Sequence, residues 1–317
     1  MKDCNVIFDT NAYRNFGNSK TTAQVKAEIQ AIKTKEQALN IKALMSPVVT
    51  MEILSHLADS TKWAFEPSKK AIIAQYGHCG DNTTFKMIAD PEMLLCKMLF
   101  SVDLPTREQT LDILGNVAYE IWNDEGIASI TKNLNVLQQV QNHIATEENE
   151  FAKSILGVIG SLDPTSTNFH LFATDDKGRR EFLSNLNSET FDKFVALGFA
   201  MKAYLTIYDC GIITQIDPKI DLKPHRVTIQ NKFKASIELY RELYKRIVNS
   251  EFDINKNSRA NYLWDIHLLL TVGDDEVNKQ ELYFVTGDKA MLQASSIAGH
   301  GVKVIKLTDY LTTIGHP

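Results

Sequence analysis

Short runs of strand-forming apolar residues lie close to the two ends of this chain, and their placement constrains its fold more than any other feature. Residues 5–8 (NVIF) and 43–46 (ALMS) form two such runs near the start, and residues 282–285 (LYFV) and 302–305 (VKVI) form two more near the far end. Stretches with apolar residues three or four positions apart, typical of amphipathic helices, follow at 21–39, 49–58 and 288–296. Strands that alternate with helices predict an α/β fold with a parallel sheet covered by helices on both faces.

The middle of the chain has a different character. Glycine and proline, at 15 and 8 of 317 residues, are scarce enough to favour long helices. The main stretches with helical periodicity are 106–122, 132–156, 189–208 and 226–248. We therefore predict one α/β domain built from residues 1–65 and 251–317, interrupted by a mainly α-helical insertion at 66–250.

Composition and charge limit the partners and the compartment. With 44% hydrophobic and 23% charged residues, the chain has the composition of a globular protein with a sizeable core. The sequence offers no uncharged window of about 18 residues and no secretory signal, so we expect no membrane partner. Four cysteines without CxxC spacing predict free thiols and a cytoplasmic location. The net charge of −5 gives no overall attraction for nucleic acid, so that function would need a local basic surface.

Four acidic residues form the candidate chemical centre. Asp9 directly follows the first strand run, and Asp288 follows the third. Glu52 lies on the helix after the second run, and Asp265 interrupts the apolar helical segment 262–270 (YLWDIHLLL). Ligand sites of parallel sheets form outside the carboxyl ends of the strands, so Asp9 and Asp288 should arrive at the same edge of the sheet.

Asp265 is the most informative of the four on energetic grounds. Its helix is apolar on nearly every side, and burying an uncompensated carboxylate costs several kcal/mol. Asn261 lies one turn earlier on the same face and could hydrogen-bond that carboxylate. A bound cation would compensate more strongly, and several converging carboxylates favour a hard metal ion such as Mg²⁺ or Mn²⁺.

Five short segments carry a resemblance to a known family. They are 6–11 (VIFDTN), 46–53 (SPVVTMEI), Asn261 with Asp265, 285–289 (VTGDK) and 301–305 (GVKVI). In their order and spacing they resemble the PIN-domain family of metal-dependent nucleases. The large insertion departs from that family's pattern. The resemblance therefore predicts the core fold better than it predicts the substrate or the regulation.

The resemblance implies a three-layer α/β/α, Rossmann-like fold and hydrolysis of phosphodiester bonds, most often in single-stranded RNA. It places the catalytic and metal-binding acids at Asp9, Glu52, Asp265 and Asp288, with Mg²⁺ or Mn²⁺ as cofactor. The supporting polar residues would be Thr10, Asn11, Asn261 and Thr286. Carboxylate-held metal ions can activate a water molecule and neutralise the phosphate, so an endoribonuclease of this kind needs no protein nucleophile.

Each acid also has a purely structural interpretation. Asp9 and Asp288 could cap the helices that follow them, because aspartate is preferred at that position. Glu52 could be a solvated helix residue, and Asp265 could pair with a basic side chain. Residues 172–177 (FATDDK) resemble the segment 286–289 (TGDK), yet they lack a preceding acid on an apolar helix and a closing strand, so they are more typical of a surface turn. The ordered set of four acids therefore favours the functional interpretation.

Two other functions stay open. An aspartate-nucleophile, Mg²⁺-dependent phosphatase would use Asp9 as its nucleophile and Asp288 as a metal ligand. That class requires a second acid two residues after the first, where this chain has Asn11. A non-catalytic module that binds nucleic acid or protein on the same fold is the third alternative, although retention of all four acids argues against it.

The insertion contains one candidate surface for nucleic acid. Residues 219–246 carry eight lysines and arginines against three acids, and Lys234, Arg241 and Lys245 are the predicted substrate contacts, together with Lys289. A solvated helix face, with Arg241 paired to Glu238, is an equally good interpretation. The acidic stretch 103–125 instead favours a protein partner or a homo-oligomer contact through the insertion.

Overall fold

A computed structural model describes residues 1–81, 84–164, 172, 175–249, 262–273 and 281–316 of the chain. Its strands are β1 (Cys4–Phe8), β2 (Lys42–Ala43), β3 (Gly80–Asp81), β4 (Thr84–Phe85), β5 (Glu281–Thr286) and β6 (Val304–Lys306). One sheet contains four of them in the order β2-β1-β5-β6, with every neighbouring pair parallel. The other two, β3 and β4, form a short antiparallel pair.

Helices make up most of the described chain. They are α1 (Thr10–Gly17), α2 (Thr22–Ala38), α3 (Pro47–Ser55), α4 (Phe65–Cys79), α5 (Pro91–Phe100), α6 (Pro105–Asp124), α7 (Ile127–Lys132), α8 (Leu134–Leu162), α9 (Asp176–Leu186), α10 (Glu189–Asp209), α11 (Lys223–Lys232), α12 (Lys234–Val248), α13 (Tyr262–Val272), α14 (Lys289–Ile297) and α15 (Leu307–Thr313). The described protein is thus mainly helical around a small parallel sheet, an arrangement that is compatible with an α/β fold. Of the helices described, none is long and apolar enough to cross a membrane.

The predicted strands at the two ends of the chain meet in this sheet. Strand β1 lies between β2 and β5, and Phe8 is in register with Val285. The second predicted strand is shorter than expected: β2 stops at Ala43, and Met45 pairs instead with Met87. The prediction of a parallel sheet made from both ends is confirmed, because β1 and β5 are neighbours despite their distance in sequence.

The stretch 226–248, predicted as one helix, is two helices. The first, α11, ends at Lys232, and α12 begins at Lys234, because the backbone of Phe233 (φ −112°, ψ 38°) departs from helical geometry. The break allows the Phe233 ring to be buried, with only 1% of its surface exposed, against Gly273. Burying a phenylalanine ring offsets the interrupted backbone hydrogen bonding.

The middle segment and the terminal segments share one hydrophobic core. A continuous cluster of buried apolar residues includes Val6 and Phe284 of the sheet as well as Ile72, Leu137 and Leu243 of the middle helices. In that core α4 packs against α1 and α2, and α12 packs against α14. The helices that the sequence assigned to an insertion therefore contact the sheet-forming ends directly.

A buried polar network ties several of these helices together. The His78 side chain donates from Nε2 to the Glu36 carboxylate, with both oxygens at 2.8 Å. The Tyr13 hydroxyl lies 3.1 Å from Nδ1 of His78 and 3.3 Å from Sγ of Cys79, and the Tyr310 hydroxyl donates to Glu36. Because these residues come from α1, α2, α4 and α15, the network joins the start, the middle and the end of the chain.

The Glu36–His78 pair is an ion pair removed from water. Burial alone would lower the pKa of His78, but the Glu36 carboxylate outweighs it and raises that pKa from 6.5 to about 10. His78 therefore stays protonated in the folded protein at neutral pH, whereas it is largely neutral in the unfolded chain. The pair stabilises the fold fully below pH 6.5, and this contribution is lost as the pH rises through about 10.

We expect the substitution His78→Gln to destabilise the protein by about 3–5 kcal/mol near neutral pH, because it leaves the Glu36 carboxylate buried without its cation. The difference from the wild type should shrink steadily as the pH is raised from about 6 to about 9. Urea unfolding followed by circular dichroism at several pH values measures both effects.

The surface pair Lys20–Glu28, in which both side chains are only half-buried, provides a matched control. Its removal by Glu28→Gln should cost at most about 1 kcal/mol, with little dependence on pH over the same range. A cost for His78→Gln that is as small as this, or that stays constant with pH, would contradict the buried ion pair.

Candidate functional site

A cavity of about 340 Å³ opens where β1 and β5 end, and all four predicted acids line it. Its lining residues are Asp9, Thr10, Asn11, Arg14, Glu52, Arg246, Tyr262, Trp264, Asp265, Leu268 and Asp288. We call it the acidic cavity. Its position agrees with the rule that ligand sites in parallel sheets form beyond the carboxyl ends of the strands.

Asp9 is held between the sheet and the first helix. Its backbone N–H donates to the carbonyl of Val285 at 2.9 Å, which extends the β1–β5 pairing by one residue. One carboxylate oxygen caps α1 by accepting from the N–H of Ala12 at 2.5 Å, and the other accepts from the Thr286 hydroxyl. Burial raises the pKa of Asp9 to about 6, against the opposing effect of these hydrogen bonds. The structural role of Asp9 as a helix cap and its place in the cavity therefore coexist.

Asp288 occupies the equivalent position after β5. Its Oδ1 atom accepts from the N–H of Met291 at 2.8 Å and so caps α14. The N–H of Asp288 donates to the Thr286 hydroxyl at 2.9 Å, while the same hydroxyl donates to Asp9. Thr286, fully buried at the end of β5, thus fixes both acids relative to each other.

Glu52 reaches the cavity from α3. Its Oε2 atom accepts a hydrogen bond of 2.5 Å from the hydroxyl of Thr10, the first residue of α1. Burial raises the pKa of Glu52, and both this hydrogen bond and the charge of Arg14 oppose that rise. Thr10 therefore orients Glu52 in the way that Thr286 orients Asp9.

Asp265 carries the strongest electrostatic strain in the cavity. Burial raises its pKa well above the usual value, and the charges of Asp288, Glu52 and Asp9 raise it further. The expected uncompensated carboxylate on an apolar helix is therefore present, and the other three acids are its electrostatic neighbours. Asn261, its predicted partner, lies outside the described residues.

The predicted basic contacts do not line the acidic cavity. Lys234 and Lys289 are exposed, and Lys245 is half-buried. Arg241, expected on a solvent face, is instead buried: it donates to the carbonyl of Leu186 at 2.6 Å and pairs with Asp192 and Glu238. The structure thus corrects the assignment of Arg241 as a substrate contact, because its donors already serve to join helices α9, α10 and α12.

Several cavity residues were missed by the sequence analysis. Arg14 lies four positions after Thr10 and so shares its face of α1, a spacing that could have indicated it. Tyr262 and Leu268 lie three positions either side of Asp265 and could have been found in the same way. Arg246 carries no such signal, since only the packing of α12 against α13 and α14 brings it to the cavity.

The donor chemistry of the cavity suits a hard cation, but the ligands are not assembled around one point. Among the described residues, no group of three histidine, cysteine, aspartate or glutamate side chains is placed to hold a metal ion. Asp9, Glu52 and Asp288 each accept a local hydrogen bond, and mutual repulsion keeps like charges apart. Carboxylate and hydroxyl oxygens are nevertheless the ligands that Mg²⁺ and Mn²⁺ prefer.

Comparison of the chain with protein-family models, curated proteins and solved structures gives no match. The similarity of its short motifs to PIN domains therefore stays a prediction. The physical evidence that bears on function is the acidic cavity, with four carboxyl groups and two arginines at the edge of a parallel sheet.

We expect Asp265→Asn to raise the free energy of unfolding by about 1–3 kcal/mol in metal-free buffer near neutral pH, because it removes a poorly compensated buried charge. An acid whose pKa is raised by folding destabilises the folded state progressively as the pH rises above its unfolded value. The advantage of the variant should therefore vanish near pH 4, the usual aspartate value, and grow as the pH rises above it, because folding raises the pKa of Asp265. Thermal and urea unfolding in the presence of EDTA measure this difference.

Asp175→Asn is the matched control, because Asp175 is an aspartate cap on α9 outside the acidic cavity. Asparagine caps helices as well as aspartate, so this change should leave stability nearly unaltered. Loss of stability in Asp265→Asn, or an equal gain in Asp175→Asn, would rule out electrostatic strain as the property of the cavity.

Proposed function

We propose that this protein is a metal-dependent nuclease with a PIN-like, three-layer α/β/α core, and that it acts as an endoribonuclease on single-stranded RNA. The observation that supports the proposal most is the meeting of Asp9, Glu52, Asp265 and Asp288 in one cavity beyond β1 and β5. These residues are widely separated in sequence, and burial raises the pKa of three of them. Such perturbed acids in a cleft are typical of functional sites.

A hard divalent cation, Mg²⁺ or Mn²⁺, would supply Lewis-acid stabilisation of the phosphate and an activated water. Asp9, Glu52, Asp265 and Asp288 would hold it, with Asn11 as a further oxygen donor at the rim. The chain's own contribution is orientation: Thr286 fixes Asp9, and Thr10 fixes Glu52. A cation would also relieve the repulsion around Asp265, and this relief would favour its binding.

The geometry disfavours the phosphatase alternative. A nucleophilic Asp9 would need a free carboxylate oxygen, whereas one oxygen accepts from Ala12 and the other from Thr286. The position two residues later carries the amide of Asn11, which cannot act as a general acid. A hydrolytic reaction that uses water as the nucleophile fits these residues better.

The helical middle segment would shape the path of the substrate. It contributes Arg246 to the acidic cavity through α12, and Lys234 and Lys245 belong to the same helix. We propose that these lysines add affinity for the phosphate backbone outside the cavity. The acidic helix α6 is a less suitable surface for RNA and a better candidate for a protein partner or a second copy of the chain.

The purified protein should cleave single-stranded RNA with Mg²⁺ or Mn²⁺ present and lose this activity in EDTA. Asp288→Asn should reduce cleavage by about 100-fold or more, because it removes one charge of the cation site while asparagine still caps α14. Cleavage of a labelled oligoribonucleotide, analysed on denaturing gels, gives the rates.

Asp175→Asn makes the same chemical change at the cap of α9 and should keep wild-type activity. A circular-dichroism melt of each variant checks that both remain folded. Activity that survives chelation, or an Asp288→Asn variant as active as Asp175→Asn, would disprove a metal-dependent nuclease site in this cavity.

A further inference from the structure

Arg14 lines the acidic cavity, and the proposed cation site gives this basic residue no role. It is in the last turn of α1, four residues after Thr10, so the two side chains share one face of that helix. Both line the cavity, and Thr10 is the residue that orients Glu52. Helix α1 thus carries Arg14, is capped by Asp9 and begins with Thr10, the residue that orients Glu52.

The guanidinium of Arg14 is incompletely satisfied. Its Nη2 atom is buried and has no hydrogen-bond partner among the described residues. A buried donor on a charged group without an acceptor destabilises the folded state, so such atoms are uncommon in folded proteins. Because the Arg14 side chain lines the acidic cavity, a bound partner that offers an oxygen acceptor would satisfy this donor.

The second arginine of the cavity is in a different state. Arg246 donates from Nε to Glu242 at 3.1 Å, and its guanidinium lies over the Tyr262 ring at 5.6 Å. It is therefore already paired and stacked, whereas Arg14 forms no ion pair in the described part of the chain. The charge of Arg14 opposes the rise that burial causes in the pKa of Glu52, and this interaction does not use the Nη2 donor.

We propose that Arg14 is a substrate-positioning residue whose Nη2 group donates to a non-bridging oxygen of an RNA phosphate in the acidic cavity. Planar guanidinium groups match phosphate geometry and form strong charge-assisted hydrogen bonds with it. The inference rests on the proposed function and assigns a role to a residue outside the four acids. It also explains how a cavity with four carboxyl groups accepts a polyanion: the arginine attracts the phosphate beside the cation that the acids hold.

The test measures binding separately from cleavage. A fluorescently labelled short single-stranded RNA is titrated in Mg²⁺ against Asp288→Asn, which is expected to bind RNA and to cut it very slowly. The same titration is repeated with Asp288→Asn proteins that also carry Arg14→Gln, Arg14→Lys or Arg180→Gln. Arg180 is an exposed arginine on α9 outside the cavity and serves as the matched control. Arg14→Gln should weaken binding by about 10-fold or more, since charge-assisted hydrogen bonds of this kind contribute that much.

The salt dependence identifies the contact as one to phosphate. Loss of one phosphate contact should reduce the slope of log affinity against log salt by about 0.7 for a single strand. Arg14→Lys keeps the charge beside Glu52, so it should keep the salt slope and lose only part of the affinity. Arg180→Gln should change neither quantity.

A neutral methylphosphonate linkage in the RNA adds a direct check. If Arg14 binds the phosphate that is replaced, this linkage should weaken RNA binding to the Asp288→Asn protein. It should have little further effect on the affinity of the protein that also carries Arg14→Gln. If the wild-type protein binds and cleaves RNA, but Arg14→Gln in the Asp288→Asn background changes neither the affinity nor the salt slope, the role of Arg14 alone is overturned. A wild-type protein that neither binds nor cleaves RNA overturns this role together with the proposed function.

Discussion

The parallel pairing of β1 with β5 is the constraint on which the candidate site depends. It aligns Phe8 with Val285, and one further hydrogen bond joins Asp9 to the Val285 carbonyl. Each strand then passes into a helix whose cap is an aspartate, Asp9 for α1 and Asp288 for α14. Two acids separated by most of the chain therefore share one edge of the sheet, and a slip of register by one residue would disrupt their common contact with Thr286.

The acids of the cavity have hydrogen-bond partners individually, but their shared burial disfavours their negative charges. Asp9, Glu52 and Asp288 each accept hydrogen bonds that fix their orientation, and helix N-termini favour the negative charge of two of them. The same burial that orders these side chains raises the pKa values of Asp9, Glu52 and Asp265. Binding of a proton or a cation relieves the repulsion among these buried carboxylates. The packing that buries them therefore determines that the site favours positively charged ligands.

The sequence predicted the parts of the site that depend on local signals. Apolar runs ending in aspartate predicted β1 and β5 with their caps, and the apolar surroundings of Asp265 predicted a carboxyl group under strain. Arg241 could not be placed from sequence, because its burial depends on Leu186 and Asp192 in helices distant along the chain. Arg246 could not be placed for the same reason, because the packing of α12 against α13 and α14 brings it to the cavity. The break at Phe233 was not predicted either, because the contact of its ring with Gly273 overrides the helical periodicity.

The helical middle segment also determines where Asp265 lies. Trp264, its neighbour on α13, lines the acidic cavity and donates from Nε1 to Glu148 of α8 at 3.0 Å. The Ser236 hydroxyl of α12 donates to the carbonyl of Ile266, so α13 is held from two sides by helices of the middle segment. Any partner that shifts α8 or α12 would move the carboxyl group of Asp265 relative to Asp9 and Asp288. The segment predicted as an insertion is therefore part of what assembles the site, since one of the four acids depends on it for position.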